Sequence, residues 1–128
     1  MQYEEYLEKE EKRIRFNISL MEKGVEFVDI RSAFIDEDCR IGGGTKIYPN
    51  VVIEASSAIG QGCIIGPGTR IVGSTVGDRT KIENSVVLES RVGEDTKIGP
   101  FAYLRPNSTV GNSCKVGDFV EVKNSTLG

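Results

Sequence analysis

The chain has 128 residues, enough for one domain with a short appendage and too few for a second catalytic domain. With 38% hydrophobic and 27% charged residues, a net charge of −3 and no run of ~20 apolar residues, neither disorder nor a membrane span is expected, and nothing attracts nucleic acid or anionic lipid in bulk. It contains no histidine, which removes imidazole bases, Ser-His-Asp and Cys-His pairs and His-rich zinc sites, so no metal site is expected.

Met1 is followed by charged residues, not by an apolar run, so no secretory leader is read and the expected address is the cytoplasm. Charge is dense up to Lys23, and within that stretch Tyr3, Leu7, Ile14, Ile18 and Met21 recur at helical spacing. Gly24 then supplies a stop. The pattern predicts an amphipathic helix over residues 2–23 whose narrow apolar stripe docks on the rest of the chain or on a partner subunit. A polar face that mixes both signs of charge argues against a membrane-surface role. Residues 25–30 read as an extended connector, which makes 1–30 a helix-and-connector region ahead of a second region, 31–128.

That second region is an internal repeat of period six. An aliphatic residue stands at every sixth position from Ile35 to Ile71, then at Val76 and Ile82, and again at every sixth position from Val92 to Val122. Glycine often follows it, the fifth position is small or β-branched, and all four prolines (Pro49, Pro67, Pro100 and Pro106) take the third. Gly for positive φ and Pro for a preset φ make each unit a short strand and a turn. Three units close a triangular coil of about 18 residues, and coils stack at ~4.8 Å. The fold expected is therefore all-β, a parallel β-helix of about five coils with an N-terminal α-helix. Between residues 72 and 91 the steps shorten to five in places, which predicts one irregular or kinked coil.

Cys39, Cys63 and Cys114 all fall on the small fifth position and match no CxxC spacing, so they read as core fillers, with thiols that burial makes unreactive. Gly42, Gly43 and Gly44 lack the spacing of a phosphate loop and no helix follows, so they read as a corner.

The chemistry lies elsewhere. Arg105 and Lys123 occupy the position usually held by glycine and stand 18 residues apart, which places two cations at one corner of adjacent coils. Like charges at ~5 Å repel by roughly 1 kcal/mol in water and about 3 kcal/mol at an effective dielectric of 20. A bound phosphate would turn that cost into affinity, with Arg as a planar fork and Lys as a point charge. The alternative is that both side chains splay into solvent. Tyr103 lies beside them as a candidate pocket-lining residue or a packing residue between subunits.

The segments Asn17-Ile-Ser-Leu-Met-Glu-Lys-Gly24, Ile65-Gly-Pro-Gly-Thr-Arg-Ile71, Gly99-Pro-Phe-Ala-Tyr-Leu-Arg-Pro106 and Val116-Gly-Asp-Phe-Val-Glu-Val-Lys123 make the chain resemble a known family. It is similar to the C-terminal acetyltransferase half of the bifunctional bacterial enzyme that acetylates glucosamine-1-phosphate and then uridylylates the product, giving UDP-N-acetylglucosamine for the cell wall. The resemblance implies a left-handed helix, a homotrimer with sites between subunits, acetyl-CoA as acetyl donor, and a sugar-phosphate contact for Arg105 and Lys123. The family's nucleotide-binding domain, its general-base His and its acetyl-CoA residues are not in this sequence as given, so no catalytic residue is assigned. Three readings follow: a piece of an acetyltransferase with an incomplete site, a sugar-phosphate-binding module, or a non-catalytic trimeric scaffold.

Overall fold

The structure, a computed structural model, describes residues 2–128. The helix α1 runs over Tyr3–Glu22. It ends as the sequence predicts: Gly24 takes φ +97°, its N–H donates to the Met21 carbonyl, and the Val25 N–H reaches back to Leu20 at 3.1 Å. Leu20 and Val25 are both buried, which completes a Schellman stop with its apolar contact.

The face that docks differs from the predicted stripe. Tyr3, Leu7, Ile18 and Met21 are exposed, while Asn17 and Leu20 are buried and Arg13, Ile14 and Phe16 half-buried. The reason lies in what the helix must cover. Ala33–Ile35 is the outermost strand of its sheet, so its outward carbonyls lack a neighbouring strand. Asn17 Nδ2 donates to Ile30 at 2.9 Å and to Ala33 at 3.1 Å, and Arg13 Nη1 donates to Ala33 at 2.8 Å. The Arg13 guanidinium also lies 4.0 Å from the Phe34 ring centroid. Satisfying an open sheet edge demanded donors, and this selected the polar seam of the helix.

The remainder is a parallel β-helix with three six-stranded sheets. Sheet A stacks Glu26–Phe27, Lys46–Ile47, Ile64–Ile65, Lys81–Ile82, Lys97–Ile98 and Lys115–Val116. Sheet B stacks Ala33–Ile35, Val51–Glu54, Arg70–Val72, Val86–Leu88, Tyr103–Leu104 and Glu121–Val122. Sheet C stacks Arg40–Ile41, Ala58–Ile59, Thr75–Val76, Arg91–Val92, Thr109–Val110 and Thr126–Leu127. The helix thus has six turns, against the expected five. The stretch read as a connector supplies the first strand, Glu26–Phe27, in register with Lys46–Ile47.

The irregular segment does not kink. Ile71 to Val76, Ile82 to Val87, and Val87 to Val92 are five-residue steps, yet Val86, Val87 and Leu88 stay in register with Arg70, Ile71 and Val72. The missing residue comes out of the turn, and Val87, absent from the period-six series, is a fully buried inward residue. Each short turn closes on a serine hydroxyl that donates to the carbonyl two residues earlier: Ser74 to Val72 at 2.9 Å, Ser85 to Glu83 at 2.6 Å and Ser90 to Leu88 at 2.7 Å.

Aliphatic side chains fill the prism, and the small fifth-position residues form polar columns under the corners. At the turn from sheet B to sheet C, Ser74 N–H donates to Ser57 Oγ at 3.0 Å, Ser90 N–H to Ser74 Oγ at 3.0 Å and Ser108 N–H to Ser90 Oγ at 3.4 Å. The hydroxyls of Ser57, Ser74 and Ser90 thus each accept from the coil that follows and donate to a carbonyl of their own coil, with Ser90 also reaching the Arg105 carbonyl of the next. Cys39 and Cys63 are buried in equivalent positions, and Cys114 is half-buried. Burial pushes the Cys39 thiol up to about 11 and raises that of Cys63.

The glycine that follows the aliphatic residue is expected from the sequence to supply positive φ, and among the glycines at this position Gly99 alone does so, at +88°. Left-handed backbone falls two residues later, at positions such as Arg79, Asp95, Asn107 and Ser113. The glycine column at the corner from sheet C to sheet A is required by proximity: a Cβ on Gly93 would lie 2.6 Å from the Gly111 carbonyl carbon, and one on Gly42 2.6 Å from that of Gly60.

Candidate functional site

Arg105 and Lys123 both start a turn from sheet B to sheet C. Leu104 is in register with Val122, and the Arg105 N–H donates to the Val122 carbonyl at 2.8 Å, so the two cations do occupy one corner of adjacent coils. The reason for their position is not a broken glycine rule. Along this corner the same position holds Asp36, Glu54, Val72 and Leu88 on the earlier coils, and no glycine, because the corner leaves room for a side chain. What distinguishes the last two coils is the change to positive charge.

The corner carries a third group that sequence reasoning passed over. Glu121 is in register with Tyr103, and its Oε2 lies 3.1 Å from Arg105 Nη1. The Arg105 guanidinium is also 5.7 Å from the Tyr103 ring centroid. Tyr103 and Glu121 thus flank Arg105, whereas Lys123 is exposed and forms no ion pair among the described residues. The Arg105–Glu121 pair is about half-exposed on both sides, which limits its worth to roughly 0–1 kcal/mol. A pair this weak would yield to a phosphate able to take charge-assisted bonds from the planar fork. The signal for Glu121 was available: in a strand it points to the same side as Tyr103 eighteen residues earlier.

Beside this corner, at the turn from sheet A to sheet B, Phe101 and Phe119 stack with centroids 5.4 Å apart and 13° between planes. Both take left-handed φ, +60° and +58°, and both are largely exposed, Phe119 at 81%. Val120 next to them is exposed as well. An aromatic pair held outward by strained turns leaves apolar surface uncovered at the edge of the candidate site.

Residues 30–127 match the family described as the GMPPB C-terminal domain. The chain belongs to that family. Its sequence is 51% identical over 116 residues to the bifunctional protein GlmU of Clostridium kluyveri, covering 91% of this chain and 25% of that protein. It is 52% identical over 108 residues to the bifunctional protein GlmU of Acetivibrio thermocellus, covering 84% of this chain and 23% of that protein. The chain therefore spans about a quarter of the length of these curated relatives. Among solved structures, the acetyltransferase domain of PglB from Neisseria gonorrhoeae superposes with a TM-score of 0.75 at 20% identity, over 91% of this chain and 60% of that one. The fold is accordingly the left-handed parallel β-helix expected from the resemblance, and the chain is a hexapeptide-repeat domain similar to about a quarter of the length of the GlmU proteins. Among the described residues no helix is long and apolar enough to cross a membrane.

Proposed function

We propose that this chain is the sugar-phosphate-holding part of a homotrimeric N-acetyltransferase acting on glucosamine-1-phosphate. The observation that carries the reading is the register of Leu104 with Val122, which sets Arg105 and Lys123 on adjacent coils in a chain about half identical to GlmU proteins. The substrate is zwitterionic, and the corner suits it: Arg105 and Lys123 face the phosphate, the Glu121 carboxylate accepts from hydroxyls or the ammonium, and Tyr103 forms a wall. The exposed Phe101–Phe119 stack supports assembly, since a neighbouring copy would cover it and close the corner. Acetyl-CoA is the acetyl donor that the family resemblance implies, and no residue of this chain is assigned to hold it.

Titration calorimetry with glucosamine-1-phosphate tests the reading, with sedimentation for the trimer. Binding at millimolar affinity or better is expected, weakened about tenfold or more in Arg105→Ala and in Lys123→Ala, as loss of a charge-assisted bond of ~1.5–3 kcal/mol requires. A wild type that binds nothing, or alanine variants that bind as well as it does, overturns it. A trimer that binds no ligand would favour the scaffold reading, which the outward aromatic pair also supports.

A further inference from the structure

The shortened turns have a consequence on the surface. At the corner from sheet B to sheet C, the turns through Glu54-Ala55-Ser56 and Arg105-Pro106-Asn107 keep their full length, while the two between them, Val72-Gly73 and Leu88-Glu89, are each one residue short. Two adjacent coils are therefore drawn in beneath a full turn. The result is a recess of about 390 Å³, lined chiefly by Thr75, Glu89, Arg91, Asn107 and Thr109, with Gly73 in its floor. Its size falls within the ~300–1,000 Å³ of small-ligand sites.

The recess is polar and its charges are unspent. Neither Arg91 nor Glu89 takes part in an ion pair among the described residues, although Arg79, Arg70 and Arg105 all do. Thr75, Arg91 and Thr109 are in register on three successive coils of sheet C, which sets one threonine on either side of Arg91. The rim is held from beneath: Ser90 Oγ and Ser108 Oγ donate to the Arg105 carbonyl at 3.0 Å and 2.7 Å, and the Asn107 N–H donates to the Glu89 carbonyl at 2.9 Å. Gly73 has φ +56°, the left-handed region that favours glycine, and the Glu89 stem passes over it, 3.4 Å from where a Cβ would stand.

We propose that this recess is a second small-molecule site, separate from the Arg105 and Lys123 pair, and that it takes an anionic monosaccharide. Arg91 binds the anionic group, Thr75 and Thr109 hydrogen-bond beside it, and Asn107 and the Glu89 carboxylate hold ring hydroxyls from the other wall. A sugar phosphate and a uronate share this chemistry. The site stands whether or not the chain serves an acetyltransferase, because none of its lining side chains belongs to the pair proposed for glucosamine-1-phosphate.

The test uses the full chain, isotopically labelled, with Arg105→Ala and Lys123→Ala introduced together so that the other site cannot report. Titrating glucose-1-phosphate, glucuronate, glucose and inorganic phosphate while following backbone amides by NMR separates the contributions. Amide shifts at Gly73, Thr75, Glu89, Arg91, Asn107 and Thr109 are expected at millimolar glucose-1-phosphate or glucuronate, and whichever binds more tightly identifies the anionic group. Binding should fall about tenfold with Arg91→Gln and vanish with Thr75→Trp, which fills the recess from an exposed strand position that tolerates substitution. Circular dichroism confirms that each variant is folded, and Glu89→Gln provides a third substitution should either fail. No shift with either anionic sugar, shifts that survive Arg91→Gln, or equal affinity for inorganic phosphate alone would overturn the proposal.

Discussion

Arg105 and Glu121 meet across two coils, Nη1 to Oε2 at 3.1 Å, so the cation that faces a phosphate in the proposed site is partly neutralised before any ligand arrives. This arrangement distinguishes a site for a zwitterion from a site for a simple anion. In Glu121→Gln, inorganic phosphate should bind up to about fivefold more tightly, since a half-exposed pair worth at most ~1 kcal/mol no longer competes. Glucosamine-1-phosphate should bind more weakly, having lost its carboxylate partner. Calorimetry on both ligands gives the comparison, and movement in the same direction would show that the carboxylate does not touch the amino sugar.

Polar contacts, not the apolar stripe, hold helix α1 on the sheet edge, and substitutions on its two faces tell them apart. Asn17→Leu leaves the Ile30 carbonyl without its amide donor and the Ala33 carbonyl with Arg13 alone, which costs about 1–3 kcal/mol for each group left buried and unpaired. Ile18→Ala and Met21→Ala, on the exposed stripe, should stay within about 0.5 kcal/mol of wild type. Urea unfolding measures all three. The reverse order would mean that the apolar stripe carries the docking.

The period-six pattern made the coil, its three faces and the inward aliphatic positions legible, because burying one residue per short strand leaves a regular trace. It also placed Arg105 and Lys123 together, since register follows from counting. What it did not show depends on contacts between coils. Val87 was lost because a turn can drop one residue without disturbing a strand. Asn17 was missed because the helix had to satisfy carbonyls of a sheet edge, and an apolar moment does not register that demand. Glu121 was passed over because its significance comes from Arg105, a neighbour in space at a different repeat position.

The glycines following the aliphatic residues looked alike in sequence, yet the structure assigns them different roles. A Cβ on Gly93 meets the backbone of Gly111 at 2.6 Å and of Asn112 at 2.7 Å, so Gly93→Ala must push two coils apart and should cost at least the ~1–3 kcal/mol of an overpacked core. A Cβ on Gly117 meets nothing within 4 Å, and its φ is not in the left-handed range, so Gly117→Ala should stabilise by about 0.4–1 kcal/mol through the unfolded chain. Thermal unfolding of the two variants gives opposite signs if proximity, not backbone conformation, fixes these positions.

The cysteines set a pH limit on the alkaline side. Burial raises the Cys39 thiol from 9.0 to about 11, which stabilises the neutral form in the folded chain. The unfolded chain releases that proton first. The contribution is therefore fully present below about pH 9 and is lost as pH rises through about 11, and the raised Cys63 thiol acts in the same direction. Cys39→Ser removes one ionisable group and continues the serine column of Ser57 and Ser74, so its stability should fall less than that of wild type between these limits. Urea unfolding of both proteins at neutral pH and near pH 10.5 measures the difference, and parallel losses would show that Cys39 is not the titrating group. Thiol reagents at neutral pH should modify the half-buried Cys114 first and reach Cys39 and Cys63 only on unfolding, because thiolate character and access both decide the rate.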